Sequence, residues 1–350
     1  MSDVNYLDRM FPRLARKTRR VVLGRLPTPV QIARVLHAGQ ALELTIKLDN
    51  LSGSAYGGNK VRKLEYLLRP KTRKNLRRFA TFGTVGSNHA LATAIYCKEL
   101  GYECTCFLSH QKKIATVAPA LALHARLGTE IIRYGGNYAA RLKILRENLW
   151  NRDVCVIPAG GSSWIGTLGF VDAGLELAAQ IDAGEIPLPQ RLYVATGTMG
   201  TAVGLALGLA LARLSTEVQA VRVSDTDICN EQVLRRLMQK TALMMHALDS
   251  SVPDDLSRRV RIRLRHAFFA GGYAQSDAKT EAAIKFSREQ LGLALEPTYT
   301  GKAMAALLSD AVSGGECLFW NTYNSVTHPL SAMAGVDRSA VPAEFRSYMG

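Results

Sequence analysis

The order of apolar segments predicts an α/β protein whose parallel sheets are covered by helices. Three observations carry that expectation. From residue 79 onward, short strand-like runs alternate with helical stretches, and glycine marks most of the changes. Glycine- and hydroxyl-rich turns at residues 83–89, 159–163 and 196–201 each join a strand-like run to a helix. The chain has 350 residues and is 47% hydrophobic, enough for two domains or one large unit with an ample core.

Bulk properties remove several classes of function. No apolar run approaches the roughly 20 residues needed to span a bilayer, so no membrane partner is expected. Cys97, Cys104, Cys106, Cys155, Cys229 and Cys317 form no CxxC pair and no metal-ligand spacing with the seven histidines. They read as reduced, buried small hydrophobes of a cytoplasmic protein, with no metal implied. The net charge is +15, with six basic residues in the ten from Arg69 to Arg78. Arg259, Arg261, Arg263 and Arg265 alternate with Val260, Ile262 and Leu264, as a strand with one solvated face would. No nucleic-acid motif or aromatic interleaving accompanies this charge, so it reads as a solvated basic face.

Taken in order, the arginine-rich N-terminus through Arg25 invites comparison with a transit peptide. Asp3 and Asp8 count against that, and Pro12, Pro27 and Pro29 suit rigid turns of a mature fold. Residues 41–48 form a short strand leading to Tyr56-Gly57-Gly58-Asn59-Lys60-Val61-Arg62-Lys63. Val61, Leu64, Leu67 and Leu68 then recur at helical spacing, which places Lys60 at a helix start behind two glycines. Such a position disfavours positive charge and suits a neutral, nucleophilic amine able to form a Schiff base with a carbonyl. Pyridoxal phosphate is the commonest carbonyl for that purpose. The bland alternative is a surface lysine at a helix end.

Residues 79–89 read as a strand, a glycine turn and a helix start, with Ser87 and Asn88 as N-cap residues able to meet a carboxylate, or merely to cap. The helix runs to Leu100, a strand spans 104–108, a helix 118–127 and a strand 130–132. Residues 154–164 repeat strand into glycine loop, a helix covers 169–181, and a Pro/Gly-rich linker precedes the strand 191–195. Thr196-Gly197-Thr198-Met199-Gly200-Thr201 then enters an apolar helix, 202–214. Backbone amides and three hydroxyls at a helix N-terminus make a phosphate cradle. It lacks the lysine of a P-loop and the GxGxxG spacing of a dinucleotide fold, so it suits one phosphate monoester, or else is a helix cap.

In this order the lysine loop, the Ser-Asn-His turn and the Gly/Thr loop resemble the tryptophan-synthase-like, fold type II pyridoxal-phosphate enzymes. Within them the chain is similar to the D-cysteine desulfhydrase and 1-aminocyclopropane-1-carboxylate (ACC) deaminase family. The likeness runs from Phe11 to about Thr322. It includes residues 57–65, Ser87-Asn88-His89, residues 157–162, and Glu296-Pro297-Thr298-Tyr299-Thr300-Gly301-Lys302-Ala303-Met304. The resemblance implies two open twisted parallel α/β domains with the cofactor in the cleft between them. The smaller would span 62–167, the larger 1–61 with 168–350, and a homodimer is expected.

The resemblance also implies roles. Lys60 would hold pyridoxal 5'-phosphate and move protons, Asn88 would bond the ring hydroxyl, and Thr196, Gly197, Thr198, Met199, Gly200 and Thr201 would hold the phosphate. Ser87 and His89 would face the substrate carboxylate, with Gly161 in the same region. Tyr299 and Tyr273 would poise a phenol over the reacting carbon. ACC deaminases carry an acid where this chain has Thr300, and desulfhydrase-like members meet the ring nitrogen with a threonine at the place of Thr322. Two departures stand out: Tyr323 and Asn324 replace two glycines, and Trp164 replaces a small residue in a loop facing the substrate. The expected function is a lyase that eliminates a β-leaving group from a D-cysteine-like amino acid, giving 2-oxo acid and ammonia. ACC-type ring opening, β-replacement, or a cofactor-binding protein without catalysis are the alternatives.

Overall fold

The computed structural model describes residues 5–69, 77–135, 139, 140, 143, 154–312, 314–326 and 335–349. The middle of the basic run, residues 70–76, lies outside them. The chain divides into two compact units, one of Met1–Tyr66 with Ser162–Ser325, the other of Leu67–Gly161 with Val326–Gly350.

The larger unit opens with helices α1 (Tyr6–Met10) and α2 (Pro12–Thr18) and the hairpin β1 (Val30–His37) and β2 (Gln40–Lys47). The sequence reading has no counterpart of β1. Its turn is Ala38-Gly39, both at positive φ (50° and 77°), the two-residue geometry that matches strand twist. After α3 (Lys60–Leu67), the unit resumes with α6 (Trp164–Asp182), once the strands and helices of the smaller unit have passed. It continues through β7 (Arg191–Thr196), α7 (Gly200–Leu211), β8 (Glu217–Arg222), α8 (Glu231–Leu248), β9 (Ile262–Arg265), α9 (Ala278–Leu291), α10 (Thr300–Ala311) and β10 (Cys317–Trp320). The sheet order is β1-β2-β10-β7-β8-β9. β1 runs antiparallel to β2, and the other pairings are parallel.

Both faces of this sheet are covered. Along β7, Leu192 and Val194 enter one apolar cluster, while Tyr193 and Ala195 enter another. On β10, Leu318 and Trp320 alternate with Cys317 and Phe319 in the same way. A strand buried on both sides needs this period of two with no polar face. The basic alternation at 259–265 is only partly a strand, because β9 begins at Ile262. Arg265 is not free in solvent either: it forms a bidentate ion pair with Asp310.

The smaller unit holds a parallel sheet in the order β5-β4-β3-β6, from β3 (Arg78–Thr84), β4 (Glu103–Ser109), β5 (Glu130–Arg133) and β6 (Cys155–Ile157). Helices α4 (Asn88–Glu99) and α5 (Val117–Leu127) pack on it. The sequence boundaries assign residues 326–350 to the larger domain, whereas the structure groups them with this unit. The reason is apolar: Val341, Phe345 and Met349 are buried against Val85, Ala90, Leu108 and Leu121. No helix among the described residues is long and apolar enough to cross a membrane.

Candidate active site

Lys60 is the first residue of α3, and the glycines before it are there for space. A Cβ on Gly57 would fall 2.0 Å from the Asn50 carbonyl oxygen. One on Gly58, where φ is 78°, would fall 2.4 Å from that of Thr322. The Asn59 amide donates to the Thr322 carbonyl (3.2 Å), and Asn324 accepts from the Gly57 amide (2.6 Å). Thr322 thus meets the lysine loop through its backbone, and Asn324, one of the two glycine replacements, closes over it.

Behind Lys60, α3 is held by buried charges. Arg62 donates to Asp49 at 2.7 Å and to both oxygens of Glu176 at 2.9 Å. Lys47 completes the group on Glu176. Against burial, which alone would raise it, Arg62 and Lys47 hold the Glu176 carboxyl down at about 2. Glu65 accepts from the Leu23 and Gly24 amides and pairs with Arg20.

The Lys60 ammonium lies 6.0 Å from the Tyr299 ring centroid. Burial lowers its pKa to about 8, with Glu296 opposing the shift. The Tyr299 and Tyr273 hydroxyls are 2.7 Å apart, with rings edge to face. Burial, and then the neighbouring Tyr273, push the Tyr299 phenol well above its ordinary range. Glu296 accepts from the amides of Thr298, Tyr299 and Thr300, each at 2.8 Å, and so anchors the first turn of α10 that carries Tyr299. The Thr300 hydroxyl is committed to the same carboxylate and to the Glu296 amide.

The Gly/Thr loop ends on Met199, whose φ of 67° turns the chain into α7. Ser162 bridges the entrance: its hydroxyl lies 2.7 Å from that of Thr198 and accepts from the Gly200 amide at 3.1 Å. Lys63 donates to the same hydroxyl at 3.3 Å, and Asn59 donates to Thr201 at 3.1 Å. Burial, then Lys60, push the Lys63 pKa well below the usual lysine value, a shift that a bound phosphate dianion would reverse. Gly197 faces the Tyr299 ring, 3.8 Å from where a Cβ would sit. Thr196 turns its hydroxyl back to the Val194 carbonyl, so it offers backbone rather than side chain. The cradle therefore fits a phosphate, and sequence reading missed three members: Asn59, Lys63 and Ser162. All three stand inside the very motifs that carried the resemblance, but only the fold shows them converging on the start of α7.

In the smaller unit, Ser87 caps α4 by accepting from the Ala90 amide (3.3 Å), and Asn88 is the first, half-buried residue of the helix. His89 is 3% exposed and lies against β3, with its Nε2 3.0 Å from the Thr81 hydroxyl. That hydroxyl donates to the Ile157 carbonyl, so Nε2 carries the proton in this contact. The expectation that His89 faces a carboxylate meets a ring directed into its own unit. Gly161 takes φ of 67° in the turn after β6. Trp164 is the first residue of α6, not a loop residue, because Ser163 caps the helix there. Its ring packs on the apolar core of the larger unit. Tyr323 is half-buried, with its phenol raised by burial and then by Glu296.

Comparison with known proteins shows the family. The family model described as pyridoxal-phosphate dependent enzyme matches residues 21–322. The D-cysteine desulfhydrase of Klebsiella pneumoniae (strain 342) is 31% identical over 308 residues, covering 85% of this chain and 88% of its own. That of Salmonella schwarzengrund (strain CVM19633) is 31% identical over 313 residues, covering 87% and 89%. Among solved structures, an ACC deaminase homologue superposes with a TM-score of 0.74 at 30% identity, covering 89% of this chain and 93% of that one. A maize serine racemase, at 16% identity and a TM-score of 0.57, covers 86% of this chain and 90% of its own, and shares the fold. Fold and site define a pyridoxal-phosphate enzyme of fold type II. The chain belongs to the pyridoxal-phosphate-dependent enzyme family, in its D-cysteine desulfhydrase and ACC deaminase branch, and is a lyase that uses this cofactor.

Proposed function

We propose that the protein converts D-cysteine, or a close analogue, with water into a 2-oxo acid, ammonia and the β-leaving group, sulfide for D-cysteine. The observation that carries this is the pairing of Lys60, lowered to about 8, with the Tyr273–Tyr299 hydroxyl pair in one unit. When bound, pyridoxal phosphate supplies an electron sink for negative charge at the α-carbon of an amino acid. Lys60 would hold the cofactor and accept the proton that leaves the α-carbon, a duty suited to an amine with pKa near the working pH. The tyrosine pair holds a proton at the β-side, with Tyr273 sharing the proton of Tyr299. The α7 N-terminus, Ser162 and Lys63 take the phosphate, and Asn59 orders Thr201. Asn88 serves the ring hydroxyl and Ser87 the substrate carboxylate. Thr300, bound to Glu296, leaves no acid at that position of α10 for the ring nitrogen, which favours simple elimination over ring opening.

The test incubates cofactor-loaded protein with D-cysteine and, in parallel, ACC, and measures 2-oxo acid. Pyruvate from D-cysteine that disappears in Lys60→Ala is the expected result. No 2-oxo acid from D-cysteine, but a new amino acid when a thiol or amine is added, would replace elimination by β-replacement. We also propose a cytoplasmic location, since all six cysteines are free thiols suited to a reducing compartment, and a homodimer, which the family resemblance implies. Light scattering reading one 38.2 kDa chain would overturn the dimer.

A further inference from the structure

We infer that Tyr348, acting through Gln111, is a positioning residue for the turn that presents Ser87 and Asn88. This rests on the proposed role of Ser87 toward the substrate carboxylate. Tyr348 lies beyond the residues 21–322 matched by the family model, so nothing in the matched motifs points to it.

The geometry is a short relay inside the smaller unit. The Tyr348 hydroxyl donates to the Gln111 carbonyl at 2.7 Å and accepts from the Gln111 amide at 3.2 Å. Both backbone groups of Gln111 are therefore held by one phenol. The side chain of Gln111 then reaches the turn, where its Oε1 accepts from the Gly86 amide at 3.2 Å. The fit is close enough that no side chain is accommodated at Gly86, since a Cβ there would sit 2.8 Å from Gln111 Nε2 and 3.1 Å from Val117. The flanking amides are tied as well, Val85 to the Ser109 carbonyl (3.0 Å) and Ser87 to that of Thr84 (2.9 Å).

The phenol is itself held in place. His110 stacks on the Tyr348 ring, with centroids 5.8 Å apart, and meets Phe345 edge to face at 5.0 Å. Phe345 and Val341 are fully buried in the cluster that also takes Val85 from the turn. The C-terminal segment thus grips the turn twice, by apolar packing at Val85 and by hydrogen bonds at Gly86. With Gly86 held, the first turn of α4 keeps its donors aimed in one direction, which is the preorganisation that anion binding at a helix N-terminus requires.

The test uses the full-length, cofactor-loaded protein with Tyr348→Phe, Gln111→Met, the double variant, and Ser87→Ala. Tyr348→Phe keeps the ring and its packing while removing the hydroxyl. We expect KM for D-cysteine to rise roughly threefold to tenfold, the scale of one neutral hydrogen bond, with kcat within about twofold. The double variant should match Gln111→Met alone, because the phenol acts through that residue. Hydrogen exchange at the Gly86 amide should accelerate in Tyr348→Phe, a readout independent of turnover. Unchanged Gly86 exchange, or additive effects in the double variant, would overturn the relay. Unchanged KM in both single variants beside a raised KM in Ser87→Ala would overturn it too, and leave the substrate reading standing. Unchanged KM in Ser87→Ala would instead overturn the role of Ser87.

Discussion

Lys60 and Lys63 stand one turn apart on α3, and burial lowers both, but they do different work. Lys60 sits near the Tyr299 ring, and the Lys63 amine reaches the start of α7. With its pKa at about 8, Lys60 is protonated below that value and nucleophilic above it. Reductive methylation of cofactor-free protein should therefore label Lys60 with a half-maximum near pH 8, well below the surface lysines; mass spectrometry of the α3 peptide checks this. For the tyrosines, Tyr299→Phe should lower kcat about a hundredfold or more, the usual worth of a placed proton donor. Tyr273→Phe added to it should cost little further, since the two hydroxyls act as a unit; steady-state rates of the single and double variants decide. The sequence pointed to Lys60 and the Gly/Thr loop through motifs with a chemical reason, and to the two tyrosines through the family resemblance alone. It did not show that His89 turns to Thr81, because side-chain direction on a helix depends on which face the sheet covers.

At the scale of elements, α3 is aimed by fully buried charges. Arg62→Met would leave Asp49 and Glu176 with too little positive charge, and should destabilise the fold by about 3–5 kcal/mol in denaturant titration. Asp172 offers a test of sign. Burial raises its pKa to about 7 from an ordinary 3.8, so the unfolded chain loses the proton first as pH climbs. Stability should then fall between about pH 4 and pH 7 on account of this group. Asp172→Asn still accepts from the Leu7 amide, and its melting temperature should lack that decline. Helix and strand periods placed α3, α4, α5 and the strands β2–β7 within a few residues. They did not show β1, an edge strand whose apolar residues Val30, Ile32, Ala33, Val35 and Leu36 break strict alternation and are mostly not buried, nor the start of α6 at Trp164. That residue's direction follows from the Ser163 cap and the core beneath it, and neither is a property of the tryptophan.

Across the whole molecule, the C-terminal segment supplies part of the smaller unit's apolar core. A chain lacking residues 335–350 would uncover the apolar cluster around Val85, Ala90, Leu108 and Leu121. It should bind a hydrophobic dye and melt at lower temperature than the full chain, which fluorescence during a thermal scan will report. Part of the basic charge has local partners, as with Arg265 on Asp310 and Arg263 on Glu217. A surplus of arginine therefore need not mark a nucleic-acid surface.

By itself, the sequence determined the α/β class and the order of the motifs, because strand period and glycine turns are local features, and the cofactor followed from the family those motifs resemble. Tertiary structure alone decided that Asn59, Lys63 and Ser162 meet at the start of α7, that Trp164 joins a core, and that Tyr348 reaches the Ser87 turn. Those contacts join residues scores or hundreds of positions apart. No local pattern encodes them, because they exist only once the sheets and helices have brought distant parts of the chain within hydrogen-bond reach.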